Sequence, residues 1–195
     1  MVKTKIYIYG ASGHGQVLSD IARACGYDEV VFLDDSSDTK FSKDLPKFDI
    51  FIGVGVNDTR AILQEKVQKC GFKVVNLIHP SAVISPSAKF GVGVCVMPNV
   101  VVNAFAKVSD GVILNSGCVV EHECVIERFA HISPNAALAG NVYVGEFSHI
   151  GIGSSVIQGI KIGSNVSVGA GSVVVRNLAP NGVYVGVPTK FIKEK

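Results

Sequence analysis

The sequence has 195 residues, of which 48% are hydrophobic and 17% charged, and its formal net charge is +2. This length allows one or two domains, and a near-neutral charge without a basic stripe argues against nucleic acid or a membrane surface as a partner. The chain starts with a short strand pattern rather than a signal peptide, and no apolar stretch reaches transmembrane length, so we expect a cytoplasmic protein. Five cysteines without CxxC spacing predict neither a disulfide framework nor a zinc site.

Residues 1–77 alternate strand and helix patterns. The predicted elements are strands at 5–9, 30–33, 50–54 and 73–77, one helix that ends at Gly26, and a second helix at about 58–70 that stops at Gly71. Strands and helices at this spacing predict a small, Rossmann-like parallel sheet that binds its ligands at the carboxyl ends of its strands.

The glycine-rich loop Gly10–Gly15 follows the first predicted strand and contains Ser12, Gly13 and His14. Glycines let the backbone approach a phosphate, and the amino terminus of the next helix supplies unpaired N–H groups, so a diphosphate could dock there. The order GxxGxG departs from GxGxxG, and NAD binding and a simple tight turn both stay open as alternatives. No Lys-Ser or Lys-Thr follows the glycines, which argues against a P-loop NTPase.

Two further groups follow strand ends in this half of the chain. Asp34 and Asp35 could accept hydrogen bonds from a ribose or a base, or they could form a turn and cap before Ser36. Asn57 and Arg60 could face the same crevice, or they could serve as a helix cap and a surface charge.

The second half of the chain is organised by a six-residue period. Since a helix repeats at 3.6 residues and a strand at 2, a period of six predicts a β-solenoid of hexapeptides over residues 78–176, followed by a C-terminal tail at 177–195. A second, mostly small column lies four residues further on, which suits a narrow interior. The bulky column is Ile78, Ile84, Phe90, Val96, Val102, Val108, Leu114, Val120, Ile126, Ile132, Leu138, Val144, Ile150, Val156, Ile162, Val168 and Val174.

Glycines one residue after the bulky position are expected to form the corners of the solenoid, because glycine adopts turn conformations without strain. They are Gly91, Gly145, Gly151, Gly163 and Gly169.

Three histidines lie outside the two inward columns. His131 and His149 are eighteen residues apart, which is one coil if three hexapeptides close a circuit, so their rings are predicted to stack at about the 4.8 Å strand spacing. Two charged imidazoles at that distance would repel, so at least one should be neutral. No third ligand is in register with the pair, and we therefore predict no metal site.

His122 lies between Glu121 and Glu123. A neighbouring carboxylate orients an imidazole and raises its basicity, which suits a general base; a surface histidine in a charged turn is the alternative. Cys124 falls in the small inward column, where it should be buried and inert. We therefore expect direct acyl transfer from a thioester rather than a cysteine-bound intermediate.

Several motifs together carry a family resemblance: KIYIYGASGHG at residues 5–15, FLDD at 32–35, NLIH at 76–79, ILN at 113–115, EHECVI at 121–126 and GVYVGVP at 182–188. With them, essentially the whole chain resembles the hexapeptide-repeat sialic acid O-acetyltransferase family, and within it the branch that N-acetylates UDP-4-amino sugars in bacillosamine synthesis. The resemblance implies a left-handed parallel β-helix and a homotrimer. It also implies that acetyl-CoA, the co-substrate, and a UDP-linked amino sugar meet in clefts between subunits.

The resemblance also implies roles for individual residues. His122 matches the general base and Glu123 the residue that increases its basicity. The positions that match acetyl-CoA contacts are His131, Ile152 and Ala170, although Ala170 stands where a glycine is expected, and the segment after His131 departs from an ordinary hexapeptide. The positions on the nucleotide-sugar side are Ser12, Gly13, His14, Asp34 and Asp35, with Asn57 facing the same crevice.

The expected reaction is attack of the C4 amine of UDP-2-acetamido-4-amino-2,4,6-trideoxyglucose on the acetyl thioester, which forms UDP-N,N'-diacetylbacillosamine. A sugar or sialic acid O-acetyltransferase is one alternative. A nucleotide- or NAD-binding protein without acyl transfer, which the glycine loop alone would support, is another.

Overall fold

A computed structural model describes residues 3–195 and begins with a three-stranded parallel sheet of order β2-β1-β3. Alternate residues of β1 face opposite sides: Ile6 and Ile8 pack with α1 and the solenoid, whereas Tyr7 and Tyr9 pack with Val67 of α2. The elements are β1 (Lys3–Tyr9), α1 (Gly13–Ala24), β2 (Tyr27–Leu33), β3 (Asp49–Ile52) and α2 (Asn57–Lys69).

The predicted fourth strand at residues 73–77 is wrong. Val74 forms only an isolated bridge to Ile50, and Leu77–Ile78 is instead the first strand of the solenoid. Hydrophobic residues in this connection therefore do not extend the sheet; Leu77 is fully buried in the core that α1 shares with the solenoid.

The solenoid has three faces of short parallel strands. The first face holds β4 (Leu77–Ile78), β7 (Cys95–Val96), β10 (Ile113–Leu114), β13 (His131–Ile132), β16 (His149–Ile150) and β19 (Ser167–Val168). The second face holds β5 (Val83–Ile84), β8 (Val101–Val102), β11 (Val119–Val120), β14 (Ala137–Leu138), β17 (Ser155–Val156) and β20 (Val173–Val174). The third face holds β6 (Lys89–Phe90), β9 (Lys107–Val108), β12 (Val125–Ile126), β15 (Tyr143–Val144) and β18 (Lys161–Ile162).

Each strand pairs with the strand eighteen residues on, as in the pairing of Ile113 with His131, so three hexapeptides make one coil as predicted. The bulky column is buried from Val96 to Val174, and the small column is buried from Val94 to Ser172. Only the first coil is half-buried, at Ile78, Ile84 and Phe90, because no further coil stacks beneath it and α1 covers only part of it. This is the left-handed parallel β-helix that the family resemblance implied.

The predicted corner glycines are wrong in position. The left-handed backbone conformation occurs three residues after each bulky residue, at all fourteen corners from Gly93 to Gly171, and never at the glycine one residue after it. Those glycines serve close packing instead: a Cβ on Gly145 would lie 2.5 Å from the backbone of Gly163 one coil on, and a Cβ on Gly163 would lie 2.6 Å from Pro180. Their missing side chains let adjacent coils touch.

Beyond the last coil, the residues predicted as a tail form the strands β21 (Gly182–Val185) and β22 (Lys190–Glu194). β21 pairs in parallel with β19, and β22 pairs antiparallel with β21, so the hairpin extends the first face. Within residues 3–195, no helix is long and apolar enough to cross a membrane.

Candidate active site

The edge between the second and third faces, which we call the second edge, carries His122. Its Nδ1 lies 3.2 Å from Oε2 of Glu123, and its backbone N–H donates to Glu121 Oε2 at 3.3 Å. The His122 side chain is 57% exposed, so it is open to a substrate. A Cβ on Gly140, one coil on, would lie 2.4 Å from His122 Nε2, so this glycine makes the space in which the imidazole lies.

Cys124 is fully buried, as its column predicted, and its Sγ donates to Ala139 O at 3.2 Å. Burial raises the pKa of this thiol, so the thiolate that a covalent mechanism needs is disfavoured. The geometry therefore agrees with an inert cysteine.

A cleft of about 560 Å³ separates the amino-terminal sheet from the first face of the solenoid. Both helices begin at this cleft, and neither has a side-chain cap: Ser12 precedes α1 without a capping bond, and Val56 precedes α2. Their first backbone N–H groups are thus left for an acceptor such as an anion. The lining residues are Ser12, Val54, Gly55, Val56, Asn57, Asp58, His131, His149, Ser167 and Lys195.

The glycines of the loop before α1 have different roles. A Cβ on Gly15 would lie 2.0 Å from Gly10 O, and one on Gly10, where φ is +123°, would lie 2.7 Å from Gly53 O. Both glycines are therefore required by packing. Gly13 is different, since a Cβ there would meet no atom within 4 Å. The space beside Gly13 is open to a ligand.

The acidic pair lies next to this loop, at the carboxyl end of β2. Asp34 accepts hydrogen bonds from the backbone N–H groups of Ala11 and Ser36, at 3.2 and 2.9 Å, and the Ser36 bonds hold the pKa of its carboxyl below the usual value. Asp35 accepts from Tyr9 Oη at 2.5 Å, which lowers its pKa. The turn-forming alternative thus applies to Asp34, and neither aspartate is among the residues that line the cleft.

His131 and His149 stack as predicted, with ring centroids 4.8 Å apart and planes 10° from parallel. Asn115 Oδ1 accepts the N–H of Ser116, so its Nδ2 faces His131 Nε2 at 3.0 Å and donates to it. His131 therefore carries its proton on Nδ1. His149 Nε2 lies 2.7 Å from Ser133 Oγ.

All three histidines near the cleft are held neutral. Burial first, then His149, then Arg60 lower the pKa of His131 to about 3. Burial and Arg60 lower the pKa of His14 to about 4, and its buried Nε2 has no hydrogen-bond partner. The pKa of His149 is also lowered, chiefly by burial. Among residues 3–195, no group of three or more His, Cys, Asp or Glu side chains could hold a metal ion.

Not all predicted site residues come together in one chain. Ile152 and Ala170 are exposed and lie one coil apart on the first edge, between the first and second faces, and Ile152 follows His149 by three residues. Ser12, Asn57, His131 and His149 line the cleft. His122 and Glu123 lie on the second edge and are not part of that cleft.

Some residues of the site escaped the sequence predictions. Asn115 belongs to a motif quoted above but was given no role, and it fixes the His131 tautomer. Ser133, in the segment noted as unusual, holds His149. Gly140 could have been found from its place eighteen residues after His122, where a side chain would collide with the imidazole.

The structure combines a hexapeptide solenoid, an imidazole–carboxylate pair on one of its edges, and a glycine loop beside a cleft. This combination defines the class of hexapeptide-repeat transferases. Residues 5–67 match the model of the PglD N-terminal domain family. That match includes the glycine loop.

Solved structures match almost the whole chain. The acetyltransferase domain of PglB from Neisseria gonorrhoeae FA1090, in complex with acetyl coenzyme A, is 39% identical, with 97% of this chain and 100% of that chain covered and a TM-score of 0.90. PerB from Caulobacter crescentus, in complex with CoA and GDP-perosamine, is 37% identical, with 97% of each chain covered and a TM-score of 0.89. The chain belongs to this hexapeptide-repeat sugar N-acetyltransferase family, and it is an acetyl-CoA-dependent acetyltransferase.

Proposed function

We propose that this protein transfers the acetyl group of acetyl-CoA to the C4 amine of a UDP-4-amino-4,6-dideoxy-N-acetylhexosamine and so forms UDP-N,N'-diacetylbacillosamine. His122 acts as the general base and Glu123 increases its basicity. The observation that carries the proposal is the His122–Glu123 pair, 3.2 Å apart on an exposed edge with room made by Gly140. The motifs shared with the branch that acts on UDP-4-amino sugars support the choice of acceptor.

Proton transfer follows from the ring geometry of His122. When Nδ1–H donates to the Glu123 carboxylate, Nε2 carries the free lone pair, and this nitrogen takes the proton of the attacking amine. The carboxylate also stabilises the imidazolium that forms. The amine adds to the thioester carbonyl, the C–S bond breaks, and the protonated Nε2 of His122 passes its proton to the sulfur, so that CoA leaves as the thiol. The buried Cys124 takes no part.

For the acceptor side, we propose that Ser12, Gly13, His14, Asp34, Asp35 and Asn57 bind the nucleotide sugar. The open space at Gly13 and the two uncapped helix termini supply N–H groups suited to a diphosphate. The unpaired Nε2 of His14 is a further polar group for a ligand. PerB, a similar protein, was solved with a nucleotide-linked amino sugar, GDP-perosamine, which supports this class of acceptor.

For the donor side, we propose that His131, Ile152 and Ala170 contact acetyl-CoA and that the protein works as a homotrimer. His122 lies on the second edge, whereas the proposed acetyl-CoA contacts lie on the first face and first edge, so a neighbouring copy would have to bring the base to the acyl group. Five free cysteines, and a reaction that consumes acetyl-CoA, favour the cytoplasm as the location.

Two measurements test the proposal. The first is release of free thiol from acetyl-CoA with a panel of UDP-, GDP- and CMP-linked amino and hydroxy sugars, in which the UDP-4-amino sugar should be the best acceptor. A hydroxyl acceptor that outcompetes every amine would identify an O-acetyltransferase instead. The second is His122→Ala, which should lower kcat roughly 10²- to 10⁴-fold with little change in either KM. Turnover at the wild-type rate would refute the base assignment.

A further inference from the structure

Arg60 is the largest fully buried side chain of the protein's described residues, with 1% exposure. It extends from the first turn of α2 to the solenoid, and its guanidinium donates to five acceptors. Nε donates to Gly111 O at 2.7 Å, Nη1 to Val54 O at 3.2 Å and to Gly55 O at 2.9 Å, and Nη2 to Asn57 Oδ1 at 2.8 Å and to Phe129 O at 2.9 Å.

These bonds join the rim of the cleft to the solenoid. Val54, Gly55 and Asn57 belong to the segment that lines the cleft, whereas Gly111 and Phe129 are corner residues on the edge between the third and first faces. Asn57 Nδ2 reinforces the connection by donating to Phe147 O at 3.0 Å. The side chain of Arg60 therefore sets where the cleft rim lies relative to the first face.

The charge of Arg60 is not neutralised by an ion pair. None of the ion pairs among residues 3–195 includes Arg60, and four of its five acceptors are backbone carbonyls. Carbonyl dipoles satisfy the N–H groups but leave the net charge in place. Asp58 is the carboxylate that acts on this charge, but it forms no ion pair with Arg60, and a buried cation with so little counter-charge is costly.

The field of this charge reaches the cleft. His14, His131 and His149 all experience it: after burial, Arg60 lowers the pKa of His14, and it adds to the effect of His149 on the pKa of His131 and of Lys195 on the pKa of His149. The cleft is thus lined by neutral imidazoles, by the carboxylate of Asp58 and by the ammonium of Lys195, and the charge of Arg60 lies buried behind its rim. Burial lowers the pKa of Arg60 to about 10, so the side chain is charged at neutral pH and an anion in the cleft would gain from that charge.

We propose that Arg60 is a positioning residue for the nucleotide sugar: it fixes the Val54–Asn57 rim against the solenoid and supplies the buried positive charge that favours the diphosphate in the cleft. It does so without touching the ligand, because its donors are all engaged by the protein. The inference rests on the proposed function only for the identity of the anion as a nucleoside diphosphate.

Two variants separate the charge from the hydrogen bonds. Arg60→Met keeps an apolar stem and removes both the charge and the donors, whereas Arg60→Lys keeps the charge and loses the planar fork that reaches five acceptors. Lys69→Met is the matched control, since it removes a positive charge from the exposed end of the same helix. Each protein is titrated with UDP by calorimetry, its KM for acetyl-CoA is measured, and its histidine titration is followed by NMR.

We expect Arg60→Met to weaken UDP binding about tenfold or more, since a unit charge acting over about 10 Å at an effective dielectric of about 20 has that effect. The cleft histidines should titrate at higher pH, and the KM for acetyl-CoA should rise as well, because His131, a proposed acetyl-CoA contact, lines the same cleft. Arg60→Lys should weaken UDP binding several-fold while the histidines titrate as in the wild type. Lys69→Met should match the wild type in all three measurements.

A merely structural role would give a different result, in which Arg60→Met lowers the melting temperature but leaves the UDP affinity and the histidine titration unchanged. That result overturns the proposal. If Arg60→Met does not fold, Arg60→Lys decides, and wild-type UDP affinity in that variant overturns it. Failure of the proposed function would look different, because the wild-type protein itself would then fail to bind UDP or would release thiol fastest with an acceptor other than the UDP-4-amino sugar.

Discussion

Glu123 is held in a backbone conformation that its side chain disfavours. Its φ is +61°, in the left-handed region that costs an L-residue about 1 kcal/mol and that Gly and Asn tolerate best. Most other corners of the solenoid have one of those two residues. We expect Glu123→Asn to raise the free energy of unfolding by about 0.5–1 kcal/mol, and hence Tm by about 1–4 °C at this chain length.

The same substitution should damage catalysis. It removes the carboxylate 3.2 Å from His122 Nδ1, so the imidazole loses both its orienting partner and the charge that stabilises its protonated form. Because the pair is largely exposed, we place the loss at the low end of the range for such a partner, about tenfold in kcat. Stability and activity are thus expected to move in opposite directions.

Two control variants separate the effect of the corner conformation on stability from the effect of the carboxylate on activity. Glu123→Gln removes the charge but keeps the strained corner, so it should lose activity without any gain in Tm. Asn99→Glu places glutamate at a corner with φ of +60° away from His122, so it should lose stability and keep its activity. Thermal unfolding at fixed protein concentration and thiol release are the assays. An Asn variant at position 123 that is less stable than the wild type would refute the strain argument, and unchanged kcat would refute the role of the carboxylate.

Two further predictions follow from the packing and the titration of the histidines. Gly140→Ala should fold, because Gly140 is not at a left-handed corner, and an unchanged Tm would check this. The new Cβ would lie 2.4 Å from His122 Nε2 where that atom now stands, so the imidazole has to move. We expect kcat to fall about tenfold or more, as measured by thiol release. The pKa is lowered to about 4 for His14 and to about 3 for His131. Below pH 6.5 the unfolded chain therefore binds more protons than the folded protein. The free energy of unfolding should keep the contribution of these two residues above that pH and lose it as the pH drops toward 4. His131→Phe keeps a ring against His149 and should make the acid-induced fall in Tm smaller, and an unaltered fall would contradict the assignment.

The six-residue pattern predicted those features of the structure that depend on which side chains are buried. A six-residue column of bulky residues identifies which side chains face inward, and from this the burial of Cys124 and the stacking of His131 on His149 follow directly. The backbone conformation at the corners could not be obtained in the same way. A glycine in a repeat can mean a left-handed turn or a close approach of two coils, and Gly145 and Gly163 belong to the second case.

The role of Arg60 was beyond sequence reasoning for a different physical reason. Four of its five acceptors are backbone carbonyls, which every residue possesses, so no side-chain pattern marks them. For Asp34, the sequence offered the turn before Ser36 as an alternative, but it did not indicate the hydrogen bond that Asp34 accepts from the backbone N–H of Ala11. The spacing of motifs predicts contacts between two side chains more readily than contacts between a side chain and the main chain.

The residue types at the left-handed corners are a feature of the sequence that can indicate functional positions. Once the corner position is known to be three residues after the bulky one, Gly and Asn are the residues expected there, and any other residue needs a reason. Glu123 has one in His122, and Phe129 and Phe147 have one in their stacked rings, 5.7 Å apart beside Arg60. Phe105 is exposed, and nothing in the structure explains it. Three of the four departures from the corner rule therefore mark the proposed base or the segment that joins the cleft rim to the solenoid, independently of any motif.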